Sequence, residues 1–151
     1  MAESKNKRFE FMSADWVKAL RALYRDIIAE RNIDFELVYA LEYTDPPVRL
    51  LRGDARDTIG YTLLAKNGKL EIIDGALTSV ADLVFSSSYF PIGKTYHLPP
   101  EEFQKWWAEN EPQLRAEGKY SYRGDRGLAQ KLLGLFPNNI YVDVYNKITA
   151  P

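Results

Sequence analysis

The sequence predicts an α+β fold, and three observations carry that prediction. Apolar residues recur at helical spacing early in the chain, then switch to a period of two over Phe35–Tyr43, followed by further strand-like runs around a hairpin turn. Helical spacing returns only after those runs. Strands that neighbour one another in sequence, with helices gathered apart from them, argue for α+β rather than a doubly wound sheet.

The first element is the helix in "SADWVKALRALYRDIIAERN". Ser13 suits its N-cap, Asp15 its positive end, and Met12 is placed to staple onto Val17. Trp16, Leu20, Leu23 and Ile27, flanked by Val17, Tyr24 and Ile28, make one broad apolar face that closes near Asn32. In "DFELVYALEYT" the period becomes two: Phe35, Leu37, Tyr39, Leu41 and Tyr43 point one way, with Glu36 and Glu42 opposite. Pro46-Pro47 ends that strand. "TIGYTLLAKNGKLEIIDG" is a hairpin, because Asn67-Gly68 supplies the two positive-φ residues of a type I′ turn.

"ADLVFSSS" reads as a fourth strand and "KYSYR" as a fifth. Between them "PPEEFQKWWAEN" opens a helix with prolines and glutamates, and places Phe103, Trp106 and Trp107 on one face. Glu111-Pro112 is expected to begin a separate short turn that ends at Gly118. Asp125 caps a last helix striped by Leu128, Leu132 and Leu135. The alternating run "NIYVDVYN" leaves room for an extra C-terminal strand.

A chain of 151 residues fits one domain, and a domain of that size buries about 70% of its unfolded surface. Twenty Lys and Arg against 21 Asp and Glu leave a net charge of −1, so nothing global favours nucleic acid as a partner. With no cysteine, thiolate catalysis and Cys-containing zinc sites are excluded, and the composition suits a reducing cytoplasm. No signal peptide or membrane-spanning run is expected.

Several short motifs compete for a functional reading. The glycines of "EGKYSYRGDRGLAQKLLGLF" suggest a phosphate loop, but a strand separates Gly118 from Gly124 and no Lys-Ser/Thr pair follows. Arg-Gly-Asp occurs twice, at 52–54 and 123–125, both times where turn residues are wanted anyway. The single histidine, His97, lies in a loop, and a catalytic role would need a carboxylate to orient it. Asp45, Asp54 and Asp57 share their loop with Arg49, Arg52 and Arg56, a mixed and solvated surface. One histidine without cysteine also argues against a transition-metal site, and no cofactor is implied.

What remains is apolar. Phe, Trp and Tyr make up 13% of the chain. Such stripes ordinarily fill a core; they also suit the wall of a lipid-like ligand pocket, and periodicity alone leaves both open.

"GKYSYRGDRGLAQKL" resembles the closing signature of the sterol carrier protein type 2 family. There a Gly-Lys strand runs into a Gly-Asn or Gly-Asp turn, then a Gly-Leu-Ala helix carrying Lys-Leu. The matching positions are Gly118, Lys119, Gly124, Asp125, Gly127, Leu128, Ala129, Lys131 and Leu132. The Trp-bearing first helix, "NGKLEIIDG" and "ADLVFSSS" are similar in order and character, so the resemblance covers roughly residues 12–136 of a single domain spanning 1–151.

The resemblance implies a five-stranded mixed sheet with helices on one face. It also implies a non-catalytic tunnel for a sterol, fatty acid or acyl-CoA. Phe85, Phe103, Trp106, Trp107, Leu128, Leu132, Leu135 and Phe136 are the expected ligand-binding residues. The tail 137–151 is expected to add an edge strand, cover the tunnel mouth or pair with a second subunit in a homodimer. Two alternatives stand beside this reading: a small hydrolase or cyclase using His97 or a loop Asp, and a structural module that dimerises through the tail.

Overall fold

The computed structural model describes residues 7–28, 33–52, 57–125, 127, 130–131, 134 and 142–151. Helix α1 (Ala14–Ile28) leads into strand β1 (Leu37–Thr44) and a 3-10 turn at Val48–Leu50. The hairpin β2 (Thr58–Lys66) and β3 (Lys69–Asp74) follows, then β4 (Leu83–Ser88) and a 3-10 turn at Ile92–Thr95. Helix α2 (Pro100–Ala116), strand β5 (Tyr120–Gly124) and helix α3 (Val142–Ile148) complete the described elements.

The sheet order is β3-β2-β1-β4-β5. β1 and β4 run parallel, and every other neighbouring pair is antiparallel. This is the mixed five-stranded α+β arrangement expected from the sequence. Register sets one face: Leu41 lies opposite Tyr61 on β2 and Phe85 on β4, and Phe85 opposite Tyr122 on β5. The helices cover that face, with Trp16 of α1 and Tyr145 of α3 packed together and Trp16 also against Tyr61. Phe103 of α2 stacks on Tyr96, which in turn meets Tyr43 of β1.

Local chemistry explains the boundaries. The Ser13 Oγ accepts from the Trp16 N–H at 3.1 Å, so the expected N-cap forms. Asn67 and Gly68 both hold positive φ, 54° and 77°, as a type I′ turn requires. Helix α2 closes at Gly118, whose φ is 69°. Lys119 N–H donates to the Leu114 carbonyl at 2.9 Å and Gly118 N–H to the Arg115 carbonyl at 3.1 Å, a Schellman closure.

Two expectations are corrected. Glu111-Pro112 does not begin a separate turn, because α2 runs unbroken from Pro100 to Ala116 with Pro112 inside it. The "NIYVDVYN" run supplies no extra strand over Val142–Asn146, which is helical as part of α3. Its β-branched residues suggest a strand, but Val144, Tyr145 and Ile148 also share one face of a helix, and all three are buried. Docking of that face onto the aromatic core decides the period. Among the described residues, the tail's strand-like contact is a parallel bridge between Phe9 and Thr149, made after α3 ends.

The opposite face of the sheet is less open than alternation suggests. Residues 75–82 must carry the chain from β3 past β2 and β1 to β4. Leu77 N–H donates to Thr62 Oγ1 at 2.9 Å, and that hydroxyl donates to the Gly75 carbonyl at 2.8 Å. Thr62, Ala40 and Val84, neighbours across three strands on this face, are all buried.

Candidate functional site

The interior has two unlike halves. Around β1, β2, α1 and α3 it is filled by aromatic rings. Phe11 sits at the centre, with Trp16, Tyr43 and Tyr96 all within 5 Å between ring centroids. The polar ends of these rings are satisfied: Trp16 Nε1 donates to Thr149 Oγ1 at 2.9 Å, Tyr89 OH to the Phe11 carbonyl at 2.9 Å, and the Tyr61 and Tyr145 hydroxyls bond each other. Burial pushes the Tyr61 phenol well above its ordinary pKa, and the neighbouring tyrosines push the same way. This half is core, and its Tyr61 phenol stays neutral.

The other half, between α2 and the β4–β5 edge, holds a pocket of about 450 Å³. That lies within the roughly 300–1,000 Å³ common for small-molecule sites. Its wall is assembled from three elements. β4 contributes Phe85, and β5 contributes Tyr120 and Tyr122, which share a face because they are two residues apart. Helix α2 contributes Phe103, Trp107, Ala108 and Glu111; Phe103, Trp107 and Glu111 repeat every four residues along one stripe. Tyr96, just ahead of α2, closes the inner end, its hydroxyl 3.0 Å from that of Tyr43.

Aromatic rings make up most of the lining, and they present polar as well as apolar atoms to the space. Phe103 and Trp107 are parallel, 6.2 Å apart, and Trp107 meets Tyr120 at 5.2 Å. Phe85 meets Tyr122 at 5.0 Å. One charged side chain interrupts the lining. Glu111 Oε1 accepts from Tyr120 OH at 2.5 Å and lies 3.4 Å from Arg115 Nε. Partial burial raises the Tyr120 pKa, and the hydrogen bond to Glu111 and its charge raise it further. Tyr120 is therefore a protonated donor, and Glu111 the acceptor.

Of the residues expected to contact a ligand, Phe85, Phe103 and Trp107 line this pocket. Trp106 does not: it is half-buried beside Trp107 and packs toward the core. Leu128, Leu132, Leu135 and Phe136 lie outside the described residues. Sequence reasoning missed Tyr96, Glu111, Tyr120 and Tyr122. The alternation of Tyr120 and Tyr122 and the spacing from Trp107 to Glu111 were available signals, but breaking the helix at Glu111 hid the second.

His97 is not in the wall. Its backbone carbonyl accepts from Asn146 Nδ2 at 2.8 Å, and among the described residues no carboxylate is paired with its imidazole. Arg52 grips Asp74 through two bonds of 2.7 and 2.8 Å, and Arg123 donates to the Thr78 carbonyl, so the arginines of both Arg-Gly-Asp copies make contacts within the chain. No helix among the described residues is long and apolar enough to cross a membrane.

No family model matches the sequence, and no curated protein matches it. Solved structures do. A conserved hypothetical protein of Thermus thermophilus, described as possibly a sterol carrier protein, overlays with a TM-score of 0.52 at 15% identity, covering 96% of this chain and 94% of that one. The fold is that of the sterol carrier protein type 2 domain. Two further sterol-carrier-type structures overlay more loosely. Sterol Carrier Protein 2 of Yarrowia lipolytica, in its apo form, matches at TM-score 0.40 and 17% identity, over 87% of this chain and 94% of that one. Palmitated SCP2L2 of Aedes aegypti matches at TM-score 0.44 and 14% identity, over 92% and 99%.

Proposed function

We propose that this chain, acting as one sterol-carrier-like domain, binds and carries an apolar lipid-like ligand without transforming it. The observation that carries the reading is the aromatic pocket between α2 and the β4–β5 edge. It is a concave, ring-lined space beside an otherwise filled core. The sterol carrier protein type 2 fold supports the same reading by analogy, since a fold alone does not assign a function. The ligand's apolar part would lie against Phe85, Phe103 and Trp107, and burial would supply most of the affinity. Each methylene taken from water contributes about 0.8 kcal/mol, close to a fourfold gain in affinity.

The test is a ladder of straight-chain alcohols titrated into the full chain and followed by tryptophan fluorescence. Affinity should rise by roughly fourfold per added methylene until the pocket is filled, then level off. Absence of binding, or affinity independent of chain length, would overturn the reading.

A further inference from the structure

We propose that Glu111 makes this pocket selective for amphiphiles whose head group donates hydrogen bonds, a hydroxyl or an alkylammonium, over those ending in a carboxylate. The inference rests on the pocket reading above and narrows its ligand class. Among the described residues lining the pocket, Glu111 is the single charged one, and its side chain is only 22% exposed. Its Oε1 is held in place by Tyr120 OH, which spends the donor nearest the carboxylate inside the wall.

The cation that accompanies Glu111 does not reverse this polarity. Arg115 is 69% exposed, stands outside the lining and reaches Oε1 at 3.4 Å, a solvent-side pair of small energetic weight. A ligand hydroxyl or ammonium can donate to a Glu111 lone pair. A ligand carboxylate would bring like charge against like in a partly desolvated space, and no cation among the described wall residues compensates it.

The experiment compares decanol, decylammonium and decanoate, three probes with the same alkyl chain, at neutral pH and below their aggregation limits. Each is titrated into the full chain and into Glu111→Gln. Glutamine keeps an oxygen for Tyr120 to donate to, so the variant is expected to fold, with an unchanged melting temperature as the check. In the parent chain decanol and decylammonium should bind roughly tenfold more tightly than decanoate. In Glu111→Gln the decylammonium-to-decanoate ratio should collapse to within about twofold, while decanol affinity stays nearly constant. In Arg115→Gln the ratio should widen, because the partial neutralisation is removed.

Equal binding of all three probes by the parent chain overturns the selectivity while leaving the pocket reading intact. So does a ratio that survives Glu111→Gln. Binding of none of them overturns the pocket reading and this inference with it.

Discussion

Tyr89 shows how one phenol couples this fold to pH. Its ring is buried beside Phe11, and its hydroxyl donates to the Phe11 carbonyl at 2.9 Å. Burial pushes its pKa from 10 up to about 12; the negative charge of Glu10 adds to the rise and Arg49 opposes it. A raised folded-state pKa means that the folded state holds the proton more tightly than the unfolded chain. The stability from neutral Tyr89 is therefore complete below pH 10 and is lost as pH climbs through about 12. The urea midpoint should hold up to pH 10 and then fall steadily. Tyr89→Phe should cost about 1 kcal/mol at neutral pH through the lost hydrogen bond, and should make that alkaline decline shallower, with Tyr61 and Tyr120 carrying the remainder. An alkaline decline as steep in the variant as in the parent would assign the loss to other groups.

At the scale of elements, two glycines look alike by torsion and differ in surroundings. Gly118 and Gly124 both have positive φ, 69° and 107°. A Cβ on Gly118 would meet nothing within 4 Å, so only the backbone term resists substitution. Gly118→Ala should cost about 1 kcal/mol in urea unfolding. A Cβ on Gly124 would stand 2.1 Å from the Asp82 carbonyl oxygen, at the point where β5 meets the start of β4. Gly124→Ala therefore adds a steric clash to backbone strain, and should cost at least about 3 kcal/mol. It should also weaken probe binding, because Tyr120 and Tyr122 hang from that strand; equal costs for the two variants would refute the argument. The glycine of the second Arg-Gly-Asp is thus required by strand geometry. Asp125 beside it caps the following residues, its Oδ1 accepting from the Gly127 N–H at 2.9 Å.

For the whole molecule, the segments around Phe9 and around Ile148–Ala150 are bound into one core. Phe9 N–H donates to the Ile148 carbonyl at 2.7 Å, and Ala150 N–H to the Phe9 carbonyl at 2.8 Å. Val144, Tyr145 and Ile148 are buried, and Tyr145 packs on Trp16 and Tyr96. The tail is thereby engaged with its own chain. A chain ending at Phe136 would expose Trp16 and Tyr61 and leave the Trp16 indole N–H without Thr149. Removing those side chains forfeits several kcal/mol, a large share of an ordinary domain's stability. Cooperative thermal unfolding should disappear in the truncated chain; a retained sharp transition would show that α3 is dispensable.

Much of this was determined by the sequence itself, because it depends on neighbours a few residues apart. The Ser13 cap, the Asn67-Gly68 turn, the alternation in β1 and the closure at Gly118 are all local chemistry, and each lies where the pattern put it. Composition also limited the chemistry, since a chain without cysteine has no thiolate nucleophile and no Cys-containing zinc site. Tertiary structure decided what local pattern cannot encode. The run at 142–148 satisfies two periods, and only docking of Val144, Tyr145 and Ile148 onto the aromatic core selects the helix. The apolar stripes were equally consistent with core and with pocket wall. Packing made Trp16 and Tyr61 core, and placed Phe103 and Trp107 beside open space. Glu111 gained its place in that wall by the same means, because a residue's partners across a gap depend on where other elements come to rest.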